Sequence, residues 1–168
     1  MNLTYKKIPE SDKEQLFKLI DVVLGGLKNP AFFIPYSQWE LDNMFDDVNY
    51  APLYGAYDGD KLVGMAQLYL SQDWVADLKQ ELELNNYKVC ELGVLVLPEY
   101  RGIGIAVKLG LLLLDLAKDL GFDYAVAKIH PENISSWKTV ARGFEFVKET
   151  TLPEAGLRKL YIKRLKTK

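Results

Sequence analysis

The segment that joins an apolar run to a helical pattern in the middle of the chain reads Val96-Leu97-Pro98-Glu99-Tyr100-Arg101-Gly102-Ile103-Gly104-Ile105-Ala106. The apolar run, residues 89–97, has the composition of a buried strand and stops at a proline. Apolar side chains then recur at helical spacing from about Gly102 to Leu120, and Gly121 marks the end of the helix. A strand therefore leads through a short glycine-containing loop into a long helix.

A second strand is predicted after this helix, at residues 123–130. Two strands joined through a helix lie parallel, and the crossover between them is right-handed. Hairpins are predicted on either side of this unit, one from residues 53–57 and 61–70 and the other from residues 144–149 and 157–165. Because hairpin strands pair antiparallel, the pattern predicts a mixed sheet with helices packed on it.

Further elements complete the pattern, and we expect one domain over residues 1–168. A strand is predicted at residues 3–8, followed by a helix that a capping box of Ser11 and Glu14 opens and Gly25-Gly26 ends. A second capping box, of Ser37 and Glu40, opens a short helix that runs through Phe45. The remaining predicted elements are an amphipathic helix over residues 73–84 and a short helix over residues 135–142.

The loop before the long helix has the features of an anion site. Free backbone N–H groups at a helix N-terminus, together with the helix dipole, attract a phosphate or pyrophosphate. The small residues Gly102, Gly104 and Ala106 let an anion approach the backbone, and Arg101 adds a planar, charged donor. A Walker loop is excluded because no Gly-Lys-Ser or Gly-Lys-Thr follows. A Rossmann fingerprint is disfavoured because Val107 is not small, and a plain loop with capping glycines is the remaining alternative.

The residues Arg101 to Ala106 resemble the Arg/Gln-x-x-Gly-x-Gly/Ala signature of the GNAT N-acetyltransferase superfamily, and residues 96–100 resemble its lead-in. Residues 133–136 followed by Gly143-Phe144 are similar to the second motif of that family. The resemblance implies an α/β (α+β) fold. Its mixed, mostly antiparallel central sheet would have about seven strands, with a central parallel pair and helices on both faces.

The resemblance also implies acetyl-CoA as cosubstrate and assigns residues to it. The backbone N–H groups of residues 101–106 would surround the pyrophosphate, and Val94 and Val96 would pair with the pantetheine arm where two strands splay apart. The N–H of Val94 would stabilise the oxyanion, and Asn133 would hydrogen-bond the end of the pantetheine. The residues so assigned are Val94, Val96, Arg101, Gly102, Ile103, Gly104, Ile105, Ala106 and Asn133.

The implied reaction is direct attack of an uncharged amine on the thioester, which needs a base. Glu91 is the candidate base, and the alternatives for it are a satisfied structural carboxylate or a solvent-facing strand residue. Val140 stands where many family members carry a tyrosine acid, so the catalytic acid is unassigned. This departure leaves two alternatives open: a non-catalytic coenzyme A-binding or regulatory module, and an acyltransferase that uses a longer acyl-CoA.

The composition limits the partners. A net charge of −2 and a pI near 5.5 argue against nucleic acid. The longest apolar run, Leu109 to Leu114, is too short to cross a membrane. One cysteine and one histidine are too few ligands for a Cys/His zinc site and fit the reducing cytoplasm, so we expect no metal and a cytoplasmic protein. The expected acceptor is an amine of a small molecule or peptide.

Several side chains are candidates for contacts around such a site. Aromatic residues at positions 32, 33, 36 and 39 are expected to help line an acceptor pocket, and Trp74 with its helix to cover it or form a partner surface. Leu111 is an apolar residue on the polar side of the long helix, and such a residue can belong to a partner surface, so a homodimer is one alternative. The six cationic residues between Arg158 and Lys168 are expected to form a solvated strand and tail.

Overall fold

The computed structural model describes residues 1–45 and 52–166, and its strands form one seven-stranded sheet in the order β1-β2-β3-β4-β5-β7-β6. The strands are β1 (Leu3–Lys7), β2 (Leu53–Asp58), β3 (Lys61–Tyr69), β4 (Val89–Val96), β5 (Tyr124–Ile129), β6 (Glu145–Leu152) and β7 (Gly156–Arg164). The helices are α1 (Lys13–Gly25), α2 (Gln38–Asn43), α3 (Ala76–Glu81), α4 (Ile105–Asp119) and α5 (Ile134–Thr139).

All neighbouring strands pair antiparallel except β4 and β5, which are parallel as predicted. Their pairing covers only three residue pairs and ends at Glu91 and Val126. Beyond that point β4 stays paired with β3 as far as Val96, and β5 stays paired with β7 as far as Ile129. The two strands therefore separate in the middle of the sheet and leave a gap between them.

Helices lie on both faces of the sheet, as expected. On one face α4 packs closely on β3, since a Cβ atom added to Gly64 would lie 3.0 Å from Cγ2 of Ile105. On the other face Val89 of β4 clusters with Leu78 of α3. Gly64 pairs with Val96, and side chains alternate along β4, so Val96 and Val89 point to opposite sides.

One predicted capping box is confirmed and the other is wrong. Ser37 Oγ accepts a hydrogen bond from the Glu40 N–H at 3.1 Å, and Glu40 Oε1 accepts one from the Ser37 N–H at 3.0 Å. No such box forms at Ser11, because a 3-10 turn over Glu10–Asp12 includes this residue and α1 begins only at Lys13. The turn is closed by the Asp12 N–H, which donates to the Pro9 carbonyl at 2.9 Å.

Several element boundaries differ from prediction, and the helix expected to run through Phe45 ends at Asn43. The helix predicted over residues 73–84 is α3, six residues long, and Trp74 before it stacks on Tyr69 with ring centroids 4.9 Å apart. The long helix begins at Ile105 rather than near Gly102, because the loop before it has positive φ angles. The helix predicted over residues 135–142 is α5, and β6 runs on to Leu152 because it stays paired with β7. No helix within the described residues is long and apolar enough to cross a membrane.

Candidate active site

The loop between β4 and α4 is a cradle of backbone N–H groups. Gly102 has φ +82° and Gly104 has φ +90°, in the left-handed region that favours glycine. The first N–H with a partner inside the helix is that of Lys108, which donates to the Gly104 carbonyl at 3.0 Å. The preceding helical N–H groups have no acceptor in a regular helix and lie at the positive end of its dipole. This arrangement fits an anionic group.

Contacts to neighbouring strands hold this loop in place. Tyr100 Oη donates to Asp58 Oδ2 at 2.8 Å, which ties the loop to the end of β2. Arg101 Nε donates to the Val96 carbonyl at 3.2 Å, while the residue itself is exposed. The guanidinium is thus kept beside the cradle, where its other N–H groups are available to an anion.

The free edge of β4 faces the gap between the strands. The Leu97 N–H donates to the carbonyl of Val63 in β3 at 2.9 Å. Since N–H groups alternate in direction along a strand, those of Val94 and Val96 point away from β3 and into the gap. The carbonyl of a strand residue points to the same side as its N–H, so the Val96 carbonyl also faces away from β3, and it accepts a hydrogen bond from the Arg101 side chain. The backbone here is open to an extended ligand.

Two cavities meet at this edge. The larger has a volume of about 670 Å³ and is lined by the cradle, the α5 region and the gap side of β4. The smaller, of about 320 Å³, lies toward Glu91. Val94 and Asn133 line both cavities, so a ligand that enters by the cradle and one that enters by the smaller cavity would meet beside β4.

Every residue that the resemblance assigns to acetyl-CoA either lines the larger cavity or belongs to the loop before α4. Asn133 caps α5, where its Oδ1 accepts from the Ser136 N–H at 3.3 Å and its side-chain amide N–H groups stay available. Ile103 belongs to the same turn as Gly102 and Gly104, and it is exposed. Their contacts with a ligand remain predictions.

Glu91 lies in the wall of the smaller cavity, so the solvent-facing alternative is wrong. It is 6% exposed, and its Oε2 lies 3.4 Å from Nζ of Lys128 on β5. Burial raises the pKa of Glu91, and the ammonium of Lys128 opposes this rise. A carboxyl group with a raised pKa inside a cavity has the properties of a general base. The ion pair with Lys128 agrees equally with the alternative that Glu91 is a structural carboxylate whose charge is satisfied.

Aromatic side chains form another part of this wall. Of the predicted cluster, Phe32, Phe33 and Tyr36 line the smaller cavity, as does Trp74 before α3. Tyr36 Oη donates to Gln67 Oε1 at 2.9 Å, and burial raises its pKa far above the usual value, so its hydroxyl is neutral. Trp39 instead lines a separate, much smaller pocket.

Arg158 is a cavity residue that the sequence interpretation missed. The expected solvated strand is wrong at this position, because Arg158 is only 2% exposed. Its Nη2 donates to the Ala31 carbonyl at 2.7 Å and its Nη1 to the Leu157 carbonyl at 2.8 Å. The signal was present in the alternation of β7, in which Arg158 shares a face with the apolar Leu160 and Ile162. Lys168 lies outside the described residues.

Other candidates take structural positions. His130 Nδ1 accepts from the Glu132 N–H at 3.1 Å, and its ring lies 5.2 Å from that of Phe32, as expected for a residue that ends a strand. Cys90 is buried, which raises the pKa of its thiol to about 12. Val140 lines the larger cavity and contacts the core.

In the described part of the chain no group of three His, Cys, Asp or Glu side chains could hold a metal ion.

A profile of the acetyltransferase (GNAT) family matches residues 23–146. The chain belongs to the GNAT acetyltransferase family. Among solved structures, it is similar to an N-acetyltransferase from Staphylococcus aureus, with 21% identity, a TM-score of 0.76, and coverage of 99% of this chain and 100% of the other. No curated protein sequence gives a significant match.

Two further acetyltransferase structures have the same fold. The ribosomal-protein-S18-alanine N-acetyltransferase from Escherichia coli has 12% identity, a TM-score of 0.69, and coverage of 99% of this chain and 96% of the other. A phosphinothricin acetyltransferase from Sinorhizobium meliloti, solved in complex with acetyl-CoA, has 22% identity, a TM-score of 0.70, and coverage of 98% and 89%. The mixed seven-stranded sheet is thus the GNAT fold, and in this GNAT chain the glycine loop before α4 lines the larger cavity.

Proposed function

We propose that this GNAT chain transfers the acetyl group of acetyl-CoA to an amine. One observation carries the proposal: the cradle cavity and the Glu91 cavity meet at the unpaired edge of β4. A donor that binds from one side and an acceptor that binds from the other would come together beside Val94. Holding two reactants in this way lowers the barrier to a reaction between them.

The donor side has the shape and charge for a long, phosphorylated thioester. The cradle around Gly102 and Gly104, with Arg101 beside it, fits the pyrophosphate, since a Cβ atom at either glycine would meet open space rather than protein. The N–H groups of Val94 and Val96 fit a pantetheine arm laid along β4 like an added strand. Asn133 offers an amide to the end of that arm.

On the acceptor side, Glu91 takes the proton that the amine must lose. An alkyl ammonium is not a nucleophile, so the amine attacks after Glu91, directly or through water, removes a proton. The amine nitrogen then bonds to the thioester carbonyl carbon, and the Val94 N–H stabilises the negative oxygen. Collapse breaks the carbon–sulfur bond and gives an N-acetyl product and the thiol form of coenzyme A.

The chain supplies no tyrosine acid from the expected helix. Residues 134–142 contain no tyrosine, and Val140 lines the cavity with an apolar side chain. We infer that the leaving thiolate takes its proton from water or from the ammonium formed on attack.

The test is release of free thiol from acetyl-CoA with amino acids, polyamines, aminoglycosides and peptides as acceptors. Steady release that requires both acetyl-CoA and an amine supports the proposal. Tight acetyl-CoA binding without release across the panel contradicts it and identifies a coenzyme A-binding module. Faster release from propionyl- or butyryl-CoA identifies a longer-chain acyltransferase.

The base is tested with Glu91→Gln, which keeps the size of the side chain. We expect kcat/KM to fall about 100-fold or more and the acidic limb of the pH–rate profile to disappear. Glu149→Gln, at an exposed position on β6, is the matched control and should retain wild-type activity. An unchanged acidic limb in Glu91→Gln would show that Glu91 is not the base.

A further inference from the structure

Arg158 is the least exposed charged residue in the described part of the chain, and it lines the smaller cavity. None of the salt bridges among residues 1–45 and 52–166 includes it. A buried guanidinium normally has a carboxylate or another anion against it, because an unpaired charge is costly to remove from water. The cavity therefore contains a buried guanidinium with which no neighbouring carboxylate forms a salt bridge.

The hydrogen bonds of Arg158 leave donors available. A guanidinium carries five N–H groups, and the carbonyls of Ala31 and Leu157 each accept from one of its nitrogens. These two bonds fix the plane of the group between the segment before α2 and the start of β7. The remaining N–H groups fit the two oxygens of a carboxylate.

Of the charged residues that line the cavity, Glu91 and Arg158 are the two that are buried. Glu91 is matched by Lys128, with which it forms an ion pair, so Arg158 is left over. Glu91 and Arg158 do interact, since the charge of each favours the ionised form of the other, but they do not form a direct ion pair. An anionic ligand group beside Arg158 would supply the ion-pair partner that the neighbouring side chains do not give it.

The other charges that line the same cavity are negative. Asp77 and Glu154 are exposed and Glu40 is half-buried, and all three are lining residues. Carboxylates that solvent reaches attract a protonated amine. The cavity thus presents accessible carboxylates and an unmatched guanidinium, a pattern that is complementary to a molecule with both an ammonium and a carboxylate.

We propose that the acceptor is an amine that also carries a carboxylate, of the amino-acid type, and that Arg158 binds this carboxylate. The inference rests on the proposed function, because it names the acceptor class of that same site. The carboxylate is unchanged by the reaction and serves only to hold the amine toward Glu91 and Val94. Uncharged or purely cationic amines would lack this contact.

The first experiment needs no mutation. Thiol release from acetyl-CoA is measured with the proteinogenic L-amino acids, the same amino acids as carboxamides, and the polyamines spermidine and putrescine. A charge-assisted hydrogen bond is worth about 10- to 100-fold in affinity, so the best amino acid should exceed its own carboxamide by that factor in kcat/KM. Equal or faster turnover of carboxamides or polyamines overturns the inference while the proposed function stands.

The second experiment assigns the preference to Arg158. In Arg158→Gln the ratio of kcat/KM between acid and carboxamide should fall to near one, whereas Arg158→Lys should keep part of it. Arg164→Gln, an exposed arginine on the same strand, is the matched control and should keep the whole ratio. An unchanged ratio in a folded Arg158→Gln would show that this arginine only ties β7 to the segment at Ala31.

A binding measurement separates the two proposals if no amine is turned over. With coenzyme A present, the wild-type melting temperature is recorded with each amino acid and each carboxamide. A melting temperature that rises with amino acids but not with carboxamides, and that no longer rises in Arg158→Gln, supports the carboxylate site even if no acetyl group is transferred. Absence of any difference between acids and carboxamides in the wild-type protein overturns it.

Discussion

Lys128 Nζ lies 3.4 Å from Glu91 Oε2, and this ion pair bridges β5 and β4 where their pairing ends. Glu91 is the last residue of β4 that has a partner on β5, and Lys128 lies two residues beyond that partner. The side chains therefore span the opening of the gap. Because burial and the ammonium act on the carboxyl group in opposite directions, Lys128 sets how far the pKa of Glu91 rises.

Replacing Lys128 by methionine should raise the pKa of Glu91 further. The ammonium is removed while burial stays, so the acidic limb of the kcat/KM profile should move to higher pH. The measurement is the pH–rate profile with one amine acceptor. Lys163→Met, a change of charge elsewhere in the β5–β7 pair, is the control. A limb that does not move would mean that Glu91 is not the group that titrates.

The raised pKa of Glu91 also predicts how stability depends on pH. A group whose pKa is higher in the folded state favours folding fully at low pH and loses this contribution as pH rises through the folded value. From about pH 4.5, the ordinary value for glutamate, upward, wild type should lose stability relative to Glu91→Gln until the folded pKa is passed. Urea unfolding at a series of pH values measures the difference. A difference that is flat or has the opposite slope contradicts the prediction.

Substitution of Arg101 by alanine should weaken acetyl-CoA binding about tenfold and leave the rate at saturation nearly unchanged. The reason is that its guanidinium lies beside the cradle and remote from Glu91 and the reacting end of the cavity. The effect should decrease at high salt, because an exposed charge is screened. Titration calorimetry with acetyl-CoA measures the affinity, and Arg164→Ala is the control. An affinity equal to wild type would place the anion elsewhere.

Gly104→Ala should both destabilise the fold and weaken binding. At φ +90° an alanine costs about 1–2 kcal/mol, and the added methyl group projects into the open space that the pyrophosphate would occupy. Thermal melts with and without acetyl-CoA measure both effects. Gly25→Ala at the end of α1, where a Cβ atom also meets open space, is the control and should change stability little. Unchanged ligand-induced stabilisation in Gly104→Ala would contradict the cradle assignment.

Cys90 should not react with thiol reagents while the protein is folded. Its side chain is buried, and burial raises the pKa of the thiol to about 12, so almost no thiolate is present at neutral pH. Labelling by a chromogenic disulfide should follow global unfolding in urea. The thiol-release assay then has no background from the enzyme. Rapid labelling of the native protein would show that this part of β4 opens locally.

Local patterns in the sequence predicted much of the fold. The apolar run of β4, the glycine loop and the periodic helix α4 each have one strong signal, and the parallel pair follows from their order. The helix expected over residues 73–84 was too long, because residues 72–75 form a turn before Ala76 and Trp74 in this turn stacks on Tyr69. Tertiary contacts decided this boundary, and no local pattern contains them.

The site was predictable where backbone geometry defines it and unpredictable where side chains from distant segments meet. The cradle at residues 101–106 lies within one continuous segment. The charge balance of the smaller cavity, by contrast, depends on Glu91, Lys128 and Arg158, which come from three strands. In the C-terminal segment the alternation of β7 puts both Arg158 and Arg164 on the face of Leu160 and Ile162, and only Arg158 is buried, so the pattern narrows the choice without deciding it.

The early end of the β4–β5 pairing divides the sheet into a four-stranded and a three-stranded part, held together by three residue pairs. A molecule that binds along the free edge of β4 would fill the gap and connect the two parts of the sheet. The ligand would then be a structural member of the sheet as well as a reactant. Its departure after each turnover would leave the two halves free to shift against each other.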